Sequence, residues 1–166
     1  MKRTSVRELG FTLIELLVVI SIIGILAAMA TLSFTGVQKQ ARDTQRKSDL
    51  AQYRSSLELF ANSNSLYPGE NSTVSADDTS SGLCKDLGVT SCPSDPKHSA
   101  DATYDYKYQS DGSVITGAAV ATKYVLWGKI ENVTNMFWVV CSTGQSGKIA
   151  SGTGISGGTC PAGLTP

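Results

Sequence analysis

The chain has little of what most active sites are built from. Its one histidine is His98, and none of its four cysteines sits in a C-x₂-C pair. A nucleophilic triad or a histidine-based zinc site would have to be assembled around that single imidazole. Pro, Ser and Asp surround it, with no partner evident, so His98 reads as a solvent-exposed loop residue. Net charge is scarce as well. Fourteen basic and fourteen acidic side chains cancel formally, which excludes the strongly basic footprint of a nucleic-acid binder. Cysteine is absent from the first half: Cys84, Cys92, Cys141 and Cys160 all lie beyond it. Residues 35–64 hold no proline and only one glycine, Gly36, so nothing there interrupts a helix. Gly152, Gly154 and Gly157 match the G-x-G-x-x-G dinucleotide fingerprint in letters only. That fingerprint needs a following helix, and Cys160 and Pro161 come almost at once.

What is abundant is apolar residues, crowded into Phe11–Ala30. Twenty helical residues span about 30 Å, the thickness of a bilayer core. Lys2, Arg3 and Arg7 precede this run with only Glu8 opposing them. Such a charge bias keeps the N-terminus cytoplasmic and places everything after residue 34 outside. The cysteines would then lie in an oxidising compartment. Three pairings are open to them, and sequence proximity favours Cys84–Cys92 and Cys141–Cys160. Closing each loop stabilises by roughly 2.5–3 kcal/mol. Inside the apolar run stands one ionisable residue, Glu15. A carboxylate at that depth costs several kcal/mol, which calls for a partner and a purpose.

A plain membrane anchor accounts for the length of the run but not for Glu15. An ordinary signal peptide could end at Ala28-Met29-Ala30, giving a secreted enzyme that starts near Thr31, but it too leaves the glutamate unexplained. The stretch Leu9-Gly10-Phe11-Thr12-Leu13-Ile14-Glu15 resembles the processing motif of the type IV pilin and type II secretion pseudopilin family. The resemblance implies cleavage by prepilin peptidase between Gly10 and Phe11 and N-methylation of Phe11. It also implies that Glu15 pairs with the N-terminal amine of a neighbouring subunit during assembly. Two unit charges about 4 Å apart at an effective dielectric near 20 attract by roughly 4 kcal/mol. Leu32 is a departure, since many family members carry a proline there.

Beyond the apolar run, Leu50, Tyr53, Leu57 and Phe60 recur at helical spacing, so one helix is expected from about Phe11 to Asn62. Arg42, Arg46 and Lys47, interspersed with Asp43 and Asp49, read as a solvated helix face with local ion pairs; contact with phospholipid or DNA is the alternative. Glu70–Ser81 reads as a loop. Tyr104–Gln109, Thr122–Ile130 and Met136–Ser142 read as strands, with Tyr104, Tyr106 and Tyr108 sharing a face. The expected fold class is α+β, a long N-terminal helix packed by its second half on a small antiparallel sheet. The expected organisation is a leader over 1–10, a membrane and assembly segment over 11–34, and an exposed domain over 35–166.

The resemblance implies a filament subunit without catalytic residues or cofactor. Its partners would be copies of itself, prepilin peptidase, the inner-membrane assembly platform and, before assembly, lipid. Nucleic acid is not expected as the primary ligand. The location would be the bacterial inner membrane, single-pass, and then the filament. A loop calcium site drawn from Asp77, Asp78 and Asp95 is a further candidate. A tip-located minor pilin or adhesin, binding through Tyr-rich strands and the Gly-rich loop, is the alternative function.

Overall fold

The computed structural model describes residues 10–101, 103–113, 115–151 and 153–166. The leader residues Lys2, Arg3, Arg7, Glu8 and Leu9, and Gly152 of the fingerprint-like run, lie outside them. The chain divides into two compact units, Met1–Gln38 and Lys39–Pro166. Helix α1, Leu13–Asn64, contributes residues to both, and Leu32 lies within it.

In the first unit the side chains of Phe11 through Met29 are exposed. Phe11 is 89 % accessible, and Ile14, Leu17, Ile20, Ile23 and Leu26 all stand open. A face so apolar all round is at home only in lipid or against other apolar helices. No single described helix is long and apolar enough to pass as a membrane span; Leu13–Met29 and Phe34–Asn64 pass only together, as a broken pair.

The second unit builds a core around the rest of α1. Leu50, Tyr53 and Leu57 are fully or nearly fully buried, as their spacing predicts, while Phe60 is half-buried. The helix stops where Ser65 takes a left-handed conformation, φ 69°, with its N–H on the Ala61 carbonyl at 2.7 Å. Seven strands follow among the described residues: β1 Tyr67–Gly69, β2 Val74–Ser75, β3 Lys107–Ser110, β4 Ile115–Ala121, β5 Tyr124–Lys129, β6 Met136–Cys141 and β7 Ser146–Ala150. A short helix, α2 Leu83–Asp86, lies between β2 and β3. The main sheet is antiparallel in the order β2-β3-β5-β6-β7, and β1 pairs antiparallel with β4 in a separate ribbon.

Period-two alternation gives the main sheet two apolar faces. Tyr106, Tyr108, Tyr124, Leu126 and Val140 pack with Leu50, Tyr53 and Leu57 of α1. Val125, Trp127, Val139, Cys141 and Ile149 face the other way, where Ile155, Cys160 and Leu164 cover them. Gly128 has a steric reason: a Cβ there would meet the Tyr106 ring at 2.8 Å. Cys84 is bonded to Cys92 and Cys141 to Cys160. The second bond ties the C-terminal segment to β6, and two backbone hydrogen bonds between Lys148 and Thr165 hold it to β7.

Three expectations about strands need correction. Tyr104 is not in β3, which begins at Lys107; only Tyr106 and Tyr108 enter the core. Tyr104 instead receives the cations of Arg46, Lys97 and Lys129, 4.5 to 4.9 Å from its ring centre. The Glu70–Ser81 segment is not all loop, since it contains β2. Beyond the three strand candidates, β1, β4 and β7 also form.

Glu70 and Asp86 are both buried, and the Asp86 carboxyl acts on that of Glu70. Burial first, then the Asp86 charge, raises the Glu70 carboxyl above the ordinary glutamate range. An upward-shifted acid weakens the fold above its unfolded pKa, where the unfolded chain ionises freely. Glu70→Gln is therefore expected to raise the melting temperature at neutral pH by about 2–5 °C. The gain should vanish in acid, where the carboxyl is protonated in both states. Melts of both proteins at pH 7 and pH 4 check it, and a lower melting temperature for the variant at pH 7 would contradict it.

Candidate assembly surface

The first residues of α1 form a self-capped terminus. Thr12 and Glu15 stand three apart, the spacing of a capping box. Glu15 Oε2 accepts the Thr12 backbone N–H at 2.8 Å and the Thr12 hydroxyl at 2.7 Å. The Glu15 N–H donates back to Thr12 Oγ1 at 3.3 Å. One carboxylate thus sits among exposed apolar side chains, bordered by Phe11, Ile14, Val18 and Val19. Chemically this surface offers one anion at the start of an apolar rod, together with the backbone donors of a helix N-terminus. Gly10 precedes it in irregular backbone, and nothing lies within 4 Å of where a Cβ would project.

The charged band of α1 departs from the sequence reading. Arg46 is fully buried and Asp43 is 7 % exposed, so this is not a solvated face. Arg46 grips Asp95 with two hydrogen bonds, Nε to Oδ2 at 2.6 Å and Nη2 to Oδ1 at 2.9 Å. Its Nη1 reaches Asp43 at 2.8 Å and Glu131 at 2.7 Å. Arg42 donates two further bonds to Glu131, both 2.7 Å, and Lys97 lies 3.3 Å from the same carboxylate. Asp43 also accepts the backbone N–H groups of Glu131 and Asn132 at 2.8 Å. Three cations meet three anions, and the Asp95 and Glu131 loops are fastened to the helix. Lys47 lies over the Trp138 ring, 4.0 Å from its centre. The cations that would have met phosphate are thus largely engaged inside the domain. The sequence could not reveal this, because Asp95 and Glu131 are 49 and 89 residues away from their partners.

The three calcium candidates do not converge. Asp95 is occupied by Arg46 and by the Lys97 backbone N–H. Asp78 accepts the N–H and hydroxyl groups of Ser80 and Ser81, and those bonds hold its carboxyl far below the usual aspartate range. Asp77 instead lies near Asp105 and His98. His98 therefore has acidic neighbours that its local sequence did not show. Of the glycine-rich run, Gly157 adopts a positive φ and Ser156 bridges to Thr159, a reversal with no helix after it.

Comparison with known proteins bears on the N-terminal surface. Residues 6–31 match the family described as the prokaryotic N-terminal methylation motif. The type II secretion system core protein G of Dickeya chrysanthemi is 37 % identical over 62 residues, 37 % of this chain and 40 % of that protein. The protein of the same name from Escherichia coli K12 is 33 % identical over 69 residues, 42 % of this chain and 48 % of that one. The type IV major pilin protein PilA of Myxococcus xanthus is 42 % identical over 60 residues, 36 % of this chain and 27 % of that one. The chain spans less than half the length of these relatives. No solved structure matches.

Proposed function

We propose that this chain, whose N-terminal segment is that of type IV pilins and type II secretion pseudopilins, is a structural subunit of a pilus or secretion pseudopilus. The carrying observation is the match to the methylation motif over residues 6–31, joined to an exposed apolar run in which Glu15 is the lone anion. Prepilin peptidase cuts between Gly10 and Phe11, and Phe11 becomes the methylated first residue. The helix holds the subunit in the inner membrane, with its second unit outside, until the assembly platform inserts it among other copies. There Glu15 meets the amine of a neighbour's first residue. The subunit has no catalytic task. A tip-located binding module is not favoured, because these relatives are named as core or major subunits.

Mass spectrometry of the mature N-terminus tests the reading. A methylated Phe11 start is the expected result, and a start near Thr31 would refute it. Gly10→Leu is expected to leave the leader attached, because a side chain at that position blocks a cleft shaped for bare backbone. Unprocessed mass in more than about nine-tenths of the variant is the anticipated outcome, set by the steep dependence of cleavage on local geometry. Normal processing of Gly10→Leu would remove Gly10 from the cut.

A further inference from the structure

We propose that Asp77, His98 and Asp105 form a binding site for a zinc-type divalent transition-metal ion.

The strand register brings the two carboxylates together. Val74 pairs with Tyr108 and Ser75 with Lys107, and the Ala76 N–H donates to the Tyr106 carbonyl at 2.8 Å. One step further along the same ladder, Asp77 falls opposite Asp105. Like charges directly opposed across an antiparallel pair destabilise it. These two side chains are only 9 % exposed each, so water screens them poorly.

The local donors fall short of what two carboxylates require. Ser75 Oγ lies 2.6 Å from Asp77 Oδ1 and 2.9 Å from Asp105 Oδ1, yet a hydroxyl has one hydrogen to give. Lys107 Nζ pairs with the other Asp105 oxygen, Oδ2. Asp77 Oδ2 accepts no hydrogen bond among the described residues. Instead it faces His98 Nδ1 at 4.0 Å, and the same nitrogen stands 3.8 Å from Asp105 Oδ1. Two carboxylates thus share a single ammonium neighbour. The charges of Asp77, Asp49 and Asp105 also reach Tyr53, adding to burial in raising its hydroxyl above the ordinary tyrosine range.

A divalent ion answers this deficit. One ligand atom from each of the three residues lies within 4.8 Å of the others. Metal–ligand bonds of about 2.0–2.2 Å in a tetrahedral set place ligand atoms about 3.3 Å apart. The two histidine distances need to shorten by well under an ångström, which the half-exposed His98 ring can supply by rotation, and the carboxylate oxygens, no more than 4.8 Å apart, close on the ion by turning about their own side-chain bonds. One imidazole with two carboxylates suits zinc and its neighbours rather than calcium or magnesium, which take oxygen alone. Ser75 and Lys107 would orient the carboxylates from behind. The ion would join the His98 loop to the end of the β2–β3 ladder and leave a position for water.

The test uses the full chain in detergent, without a polyhistidine tag, stripped with chelator and titrated with Co(II) and then Zn(II). The expected result is one equivalent of Co(II) with visible ligand-field bands, displaced by Zn(II), and a higher melting temperature with metal bound. His98→Ala and Asp77→Asn should each weaken binding by about 100-fold or more, and Ser75→Ala by about 10-fold. Calcium should not compete. The stripped His98→Ala protein should melt within about 2 °C of the parent, as expected for a half-exposed side chain. Saturation absent up to about 100 μM Co(II), or undiminished binding in His98→Ala, would overturn the assignment.

Discussion

Glu15→Val is expected to be processed and inserted like the parent chain but to be missing from filaments. The reason lies in what the carboxylate does at each stage. Before assembly it caps its own helix through Thr12, so its loss removes a cap worth about 1 kcal/mol and leaves a more apolar segment that lipid accepts readily. In the proposed assembly step the same carboxylate is the one group on an exposed apolar surface able to recognise a cation. Without it the incoming amine has no counter-charge, and roughly 4 kcal/mol of attraction is lost. That corresponds to about a thousandfold in the insertion equilibrium. Sheared filaments, assayed beside the membrane fraction, give the readout. The variant should accumulate in membranes with a methylated Phe11 and be depleted at least 100-fold from filaments, whereas a normal filament yield would rule out charge pairing. Glu15→Asp separates charge from reach: it keeps the anion and should restore part of the yield.

The second large effect concerns Arg46. Arg46→Ala should destabilise the second unit by about 3–5 kcal/mol, because it leaves Asp95 and Asp43 facing each other without the guanidinium between them. For a domain of this size that is a fall of about 10–20 °C in melting temperature. The loss should hardly depend on salt, since the pair is out of solvent. Arg46→Met combined with Asp95→Leu should recover much of it, as an apolar replacement for a buried pair often does. If the single variant melts within about 2 °C of the parent, the cluster does not hold the loops. The same cluster makes an acid prediction. Bonds from Arg42, then from Arg46, hold the Glu131 carboxyl down at about 2. An acid with a lowered pKa stabilises the fold above its unfolded pKa, and that contribution is lost as pH falls through the folded value. Urea midpoints should therefore decline from about pH 4.5 towards pH 2 and do so less steeply in Glu131→Gln.

The parts of this protein that were legible in its sequence are those whose signal is local. The period of Leu50, Tyr53 and Leu57 announced the buried face of α1. Val, Tyr and Trp announced β5 and β6; the structure trims β5 by two residues at its start and one at its end, and β6 by one at its end only. The methylation motif could be read because its residues are contiguous. β4 and β7 did not show, because Gly, Ala and Ser carry little strand preference and form ladders there only through tertiary pairing. The charged band was misread for a related reason. Interspersed signs on a helix look alike whether the partners are neighbours or distant loops, and Asp95 and Glu131 decide the matter from far away. Asp77 and Asp105 became neighbours only once the register of two strands was known.

The cover on the outer face of the sheet has a consequence for biosynthesis. Leu164 and Cys160 complete the packing around Trp127 and Ile149, so the domain cannot close until residues as late as Leu164 have been synthesised and delivered. Any product that stops short of Cys160 leaves that apolar face wet and Cys141 unmatched. Such fragments are suited to clearance by proteases.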